Sequence, residues 1–178
     1  MKAVAITSNT SWYLYNFRKN TILALIDAGY RVVAIAPKDD YSKKLEALGA
    51  EYHHIAIDQG GTNPVKDILT FFSFAKLYQK IRPAAVLNFT PKNNIYSTLA
   101  ASLFGAKSIN NIAGLGMVFI NENLTAKLAR FLYKLSQPKA HTIFFQNEDD
   151  RALFAKHKLA PLVITDRVPG SGADLSRF

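Results

Sequence analysis

The chain has 178 residues, 49% of them hydrophobic, no cysteine, and a formal net charge of +9. That is length for one domain or for half of a two-domain protein, and no apolar run reaches the roughly 18 residues of a membrane span. Disulfide frameworks and thiolate metal sites are excluded, and the positive balance favours an anionic partner: a phosphorylated substrate, an anionic membrane surface or nucleic acid, the last disfavoured by the scatter of the basic residues.

Short apolar runs then alternate with amphipathic segments. The opening "MKAVAITSNT" turns polar too soon for a signal peptide, which with the lack of cysteine implies a reducing, cytoplasmic location. "AVAIT" (3–7) predicts a buried strand, followed by a polar loop and a helix from about Asn16 to Ala28, with Gly29 as its C-cap. "RVVAIAP" (31–37) is a second strand ended by Pro37, and a helix from about Asp40 closes at Gly49. "EYHHIAI" (51–57) reads as the third strand, Val65 to Ile81 as a long helix, and "AAVLNF" (84–89) as the fourth strand. "NNIYSTLAASLFG" predicts a helix ending at Gly105, and "KSINNI" (107–112) a fifth strand. A helix over 124–135, a strand "HTIFFQ" (141–146), a short helix "EDDRALFAKH" and a last strand "LVITD" complete the pattern.

Apolar strands separated by helices imply an α/β fold: a Rossmann-like parallel sheet with helices on both faces. If the strand order is 3-2-1-4-5-6, it reverses between the first and fourth strands, and ligands bind beyond the carboxyl ends there. The loops after strands one, four and five therefore hold the candidate site. The first, "SNTSWYLYNFRKN" (8–20), has no glycine, which argues against a nicotinamide or flavin cofactor. It offers Ser8, Asn9, Thr10 and Ser11 beside Trp12, Tyr13 and Tyr15, a mixture suited to a sugar ring. A helix N-terminus near Asn16 favours an anion, and Arg18 adds charge; equally, Trp12 and Tyr15 can cap the core and Asn16 the helix.

In "NFTPKNNIY" (88–96), Thr90, Lys92, Asn93 and Asn94 sit at a loop-to-helix junction that favours anions, with Lys92 either a phosphate contact or a solvated lysine. In "NNIAGLGMVF" (110–119), Asn110 and Asn111 supply donors, and Gly114 and Gly116 allow close backbone approach. His53, His54 and His141 lie off these loops, and neither metal-ligand spacing nor a Ser–His–acid arrangement can be proposed. The carboxylates of "NEDDR" (147–151) read as helix capping. These features point to binding more than to catalysis.

Two helices have unusual faces. In 124–135, Leu124, Leu128, Phe131, Leu132 and Leu135 form a stripe flanked by Lys127, Arg130 and Lys134, as in an interfacial membrane helix or in a surface helix packed on a sheet. In 65–81, Ile68, Phe71, Phe72 and Ala75 lie on one side, and Phe74, Leu77 and Ile81 on the other. Two apolar sides call for a second contact: a partner, a membrane or a further domain.

"YNFRKNTILALIDAGYRVVAIAP", "GTNP", "NFTPKNNIY", "INNIAGLGMVF" and "FFQNEDDRALF", in that order along nearly the whole chain, resemble the N-terminal domain of family 4 glycosyltransferases of the GT-B fold. More narrowly, they look like bacterial enzymes that extend undecaprenyl-diphosphate-linked sugars. The resemblance implies an acceptor-binding half spanning 1–167, with 168–178 ("VPGSGADLSRF") leading toward a C-terminal domain that binds a nucleotide-sugar. It implies transfer with retention, no bound metal or other cofactor, and inactivity of this half alone; no nucleic acid is expected, because the aromatic and basic residues do not interleave on one predicted face. It places acceptor binding around Ser8, Asn9, Tyr15, Asn16, Arg18, Thr90, Lys92, Asn94, Asn111, Gly114 and Gly116. It also gives Lys127, Arg130, Phe131 and Lys134 to the inner face of the cytoplasmic membrane. No catalytic base is assigned. The alternatives are a non-catalytic subunit of a split transferase and half of a sugar-nucleotide epimerase.

Overall fold

The computed structural model describes residues 1–61, 63–115 and 123–170. Seven parallel strands form one sheet in the order β3-β2-β1-β4-β5-β6-β7. They are β1 (Ala3–Thr7), β2 (Arg31–Ala36), β3 (Glu51–His54), β4 (Ala85–Asn88), β5 (Lys107–Ile112), β6 (Thr142–Phe145) and β7 (Thr165–Arg167). The order reverses between β1 and β4, where Thr7 pairs in register with Asn88. β1 is buried at all five positions and β2 at five of six, so both faces of the sheet centre are covered.

The helices are α1 (Ser11–Asp27), α2 (Ser42–Ala47), α3 (Pro64–Ile81), α4 (Thr98–Ser102), α5 (Leu124–Ser136) and α6 (Glu148–Lys156). A π-helical turn, Asn93–Ser97, runs directly into α4. Crossovers of one hand put α1 and α2 on one face and the helices after the reversal on the other. Two core clusters follow. One joins Leu14 and Ile22 of α1 and Leu45 of α2 to Ile6 and Val32. The other joins Phe74, Tyr78 and Ile81 of α3, Ala100, Tyr133 and Phe154 to Val86, Ile112, Ile143 and Phe145.

Three expectations need correction. α1 begins at Ser11, not near Asn16, because the Thr10 hydroxyl caps it by accepting from the Tyr13 N–H at 3.0 Å. Asn16 is thus inside the helix and marks no helix end. β3 stops at His54 rather than at residue 57, and "LVITD" divides into a 3₁₀ turn over Leu162–Ile164 and the seventh strand. The carboxylates of α6 behave as expected of caps: Asn147 accepts from the Asp150 N–H at 2.8 Å, and all three lie in the first turn.

Candidate functional site

The last residues of the strands flanking the reversal are polar and fully buried, and their side chains join. Thr7 Oγ1 donates to Asn88 Oδ1 at 2.7 Å, and Asn88 Nδ2 donates to Asn110 Oδ1 at 2.8 Å. Thr98 Oγ1 also donates to Asn110 Oδ1 (3.0 Å), and Asn110 Nδ2 to Gln137 Oε1 (2.7 Å). Gln137 Nε2 in turn reaches the Asn94 carbonyl at 2.8 Å. A chain of satisfied buried amides is rigid, since breaking one bond strands a partner in low dielectric. It fixes the loop after β4 relative to β1 and β5.

Just past these strand ends lies a small open pocket lined by Asn9, Ile57, Gln59, Thr90, Pro91 and Lys92. Gln59 Nε2 donates to the Asn9 carbonyl at 2.9 Å, drawing the loop after β3 against the loop after β1. Buried Thr90 donates to Asn93 Oδ1 at 2.7 Å. Lys92 Nζ forms an ion pair with Asp67 Oδ1 of α3 at 2.5 Å, and Tyr96 donates to Asp67 Oδ2 at 2.9 Å. Burial and the Asp67 carboxylate push the Tyr96 phenol well above its usual range, so it stays a donor. Next to Thr90 and Lys92, Asn93 Nδ2 and Asn94 Oδ1 are buried with no hydrogen-bond partner among the described residues.

The expected residues divide accordingly. Asn9, Thr90 and Lys92 line the pocket, although Lys92 is already neutralised by Asp67 rather than free for an anion. Ser8 is fully buried behind Asn9, its hydroxyl 3.4 Å from Asn9 Oδ1. Asn94 Nδ2 donates to the Asn111 carbonyl (3.1 Å), and Gln146 Nε2 to Asn111 Oδ1 (3.3 Å), which ties the fourth and fifth loops together. Gly114 is exposed, and a Cβ there would meet open space. Gly116 lies outside the described residues.

Three residues sit elsewhere. The Tyr15 ring faces Tyr41, with Lys19 and Lys44 over it, toward α2. Asn16 bonds back to the Trp12 carbonyl at 2.9 Å. Arg18 is buried, its guanidinium 4.1 Å from the Phe89 ring centroid and donating to the Tyr13 hydroxyl at 3.1 Å, so it props the end of β4 from beneath. Gln59, Asp67 and Gln137 were not anticipated, since their roles depend on long-range contacts. The polar residues in "AVLN" and "KSINNI", at odds with buried strands, were a readable signal for Asn88 and Asn110. Among the described residues, no group of three or more His, Cys, Asp or Glu is placed to hold a metal ion.

α5 carries the clearest surface feature. It buries Ala126, Tyr133 and Ser136, and turns Leu124 (84% exposed), Leu128, Phe131 (61%) and Leu135 outward beside Lys127, Arg130 and Lys134. Of the expected stripe only Leu132 packs against the core, and the other four residues do not pack on the sheet. Among the described residues, no helix is long and apolar enough to cross a membrane.

A model of glycosyl transferase 4-like domains matches residues 3–147. The chain belongs to that family. It is 32% identical over 154 residues to the N,N'-diacetylbacillosaminyl-diphospho-undecaprenol alpha-1,3-N-acetylgalactosaminyltransferase of Campylobacter jejuni, a match covering 83% of the chain and 40% of that enzyme. The chain thus spans about two fifths of the length of this glycosyltransferase relative. Sucrose-phosphate synthase from Thermosynechococcus elongatus has the same fold over all of this chain and 50% of its own, with a TM-score of 0.70 at 13% identity. MurG of Acinetobacter baumannii matches all of this chain and 48% of its own, with a TM-score of 0.60 at 15% identity. These likenesses show that the glycosyl transferase 4-like chain shares its Rossmann-like fold with about half of each of those two longer chains.

Proposed function

We propose that the chain is the acceptor-binding half of a GT-B glycosyltransferase that moves a sugar from a nucleotide-diphosphate donor to a polyprenyl-diphosphate-linked glycan. The observation that carries this is α5: an outward apolar stripe with a basic flank suits an enzyme whose acceptor is anchored in an anionic bilayer. The 32% identical relative, named for a diphospho-undecaprenol acceptor, supports the same class. The protein works from the cytoplasmic side, lying on the inner face of the membrane through Lys127, Arg130, Phe131 and Lys134.

In this reading residues 1–167 form the acceptor domain, and the segment from 168, of which 171–178 lie outside the described residues, leads into a donor-binding domain. Asn9, Thr90, Asn94 and Asn111 hold the acceptor headgroup beyond β1 and β4, with Ser8 behind them. The unpartnered Asn93 Nδ2 and Asn94 Oδ1 are buried behind the Thr90–Lys92 wall of the pocket. Lys92 contributes through its pair with Asp67. The carboxylates beside the pocket are both engaged, Asp67 by Lys92 and Tyr96 and Asp58 by Lys66, which supports a binding role for the chain. Chemistry, with retention at the transferred carbon, belongs to the closed two-domain enzyme.

The test is transfer from nucleotide-sugars to a polyprenyl-diphosphate-linked disaccharide by the full-length protein, against residues 1–178 alone. Transfer is expected from the former only, with acceptor bound by both. Thr90→Val should raise the acceptor KM about tenfold, the equivalent of one hydrogen bond to the acceptor, and leave the donor KM unchanged. A change confined to the donor KM would overturn the assignment.

A further inference from the structure

α3 repeats the pattern of α5 on the same side of the sheet. It buries Thr70, Phe74, Tyr78 and Ile81 and turns Val65, Ile68, Leu69 and Phe72 to solvent, each more than half exposed. Their i, i+3, i+4, i+7 spacing makes one row on the side opposite the buried residues. Lys76 and Lys80 continue that row toward the C-terminus of the helix, so it is apolar at its first half and cationic at its second. α3 and α5 pack on either flank of the π-helical turn, and their buried residues share a core cluster. Both stripes therefore point away from the same sheet face, with exposed Leu103 just beyond α4.

We infer that α3 is a second membrane-seating helix, its apolar first half entering an anionic bilayer beside α5. The inference rests on the membrane reading of α5 given above, and extends it to a surface that reading did not include.

Charge decides the occupant. α3 and α5 together carry Lys66, Lys76, Lys80, Lys127, Arg130 and Lys134, of which Lys66 is paired with Asp58, against a single acid of their own, Asp67, which faces inward and is bound to Lys92. Two copies of such a face repel one another, whereas an anionic lipid surface attracts each cation. The placement also has a geometric consequence. Asp67 lies on the same turn of α3 as Ile68 and holds Lys92 and Tyr96, so the seated helix and the acceptor pocket share one fixed ion pair. Bilayer contact by α3 sets the height of the pocket above the lipid headgroups.

The chain has no cysteine, which allows single-site labelling. Spin labels at Phe72→Cys, Phe131→Cys and, on the opposite face, Lys43→Cys are read for depth in phosphatidylglycerol vesicles and in phosphatidylcholine vesicles. The expected result is burial of both the Phe72 and Phe131 labels in the anionic vesicles, with the Lys43 label remaining aqueous. Leu69→Ser with Phe72→Ser should weaken vesicle partition at least tenfold without altering the melting temperature. Burial at Phe131 alone overturns the role of α3 and leaves that of α5 standing. Burial at neither site overturns the membrane reading itself. A Phe72 label that is immobilised by raised protein concentration without lipid assigns the row to a second copy. One that responds only when polyprenyl acceptor is present assigns it to the acceptor's chain. Either result overturns the inference.

Discussion

Asp67 accepts from two side chains 25 and 29 residues away in the sequence, and both bonds are mostly screened from water. Asp67→Asn keeps the size but removes the charge, leaving the Lys92 ammonium largely buried without its counter-ion. Loss of one partner of a pair that is only 15–17% exposed should cost about 2 kcal/mol, below the figure for a fully buried pair because some solvent reaches it. Urea unfolding measures that. In the proposed two-domain transferase the same change should raise the acceptor KM several-fold, since Lys92 is then held on α3 only by an uncharged amide. Nothing in the local sequence marks Asp67 for this role: "NPVKD" reads as an ordinary acidic first turn, and the ion pair exists only once α3 packs on the loop after β4.

At the scale of elements, legibility follows how much of the signal is local. β1 and β5 have the bounds expected from the sequence, β1 because a strand buried on both faces is apolar along nearly all its length, and β5 although it alternates buried and half-buried positions and carries Ser108, Asn110 and Asn111. α1 was harder to delimit. Its first turn, "SWYL", follows a run of hydroxyl and amide residues that resembles a loop, and only the Thr10 cap reveals the start. For α5 the bounds and the stripe were legible, but its direction was not: periodicity reports that a face exists, while the choice of face depends on what fits the sheet. Ala126, Tyr133 and Ser136 won the inward side, with Tyr133 stacked edge-on against Phe154. Reversal of Lys127, Arg130 and Lys134 to Glu should therefore leave the melting temperature within a few degrees of the parent. Partition onto anionic vesicles should fall by more than a hundredfold, at about 1 kcal/mol per cation lost. Co-sedimentation with vesicles reads the second effect and thermal unfolding the first.

Across the whole molecule, the core on the α3–α6 side is tied to tyrosine protonation. Burial raises the Tyr78, Tyr96 and Tyr133 phenols far above their ordinary value near 10, with the Asp67 and Asp150 carboxylates adding to the effect at Tyr96 and Tyr133. A group that holds its proton more tightly in the fold contributes stability that is complete below its unfolded pKa. That stability is lost as pH rises beyond it. The fold should thus be insensitive to these groups at neutral pH and weaken above about pH 10, by about 1.4 kcal/mol per pH unit for each tyrosine still protonated in the native state. Tyr78→Phe gives up the 2.6 Å bond to Ser97, at about 1 kcal/mol, yet should flatten the alkaline slope by that tyrosine's share. Denaturant midpoints between pH 8 and 11 test both signs. Position in the fold was legible in the sequence at this scale, because the strand pattern fixes where the order reverses; which polar residues meet beneath the pocket depends on the register of β1, β4 and β5.

The π-helical turn holds one residue more than an α-helical turn would, and residues 93–98 are buried all the way round it. Removing one residue there, Ile95 for example, would let the segment close as an ordinary helix without disturbing any cap. It would also draw the residues on its two sides one position closer along the helix. The bonds of Ser97 to Tyr78 and Thr98 to Asn110 lie on one side of that deletion and the bond of Thr90 to Asn93 on the other, and all three would have to be kept across a shorter turn. Most helices tolerate a changed side chain better than a changed length only in degree. In this stretch the count of residues is itself the constraint, and a shortened relative would have to rebuild the wall between α3 and the amide network to keep the same pocket.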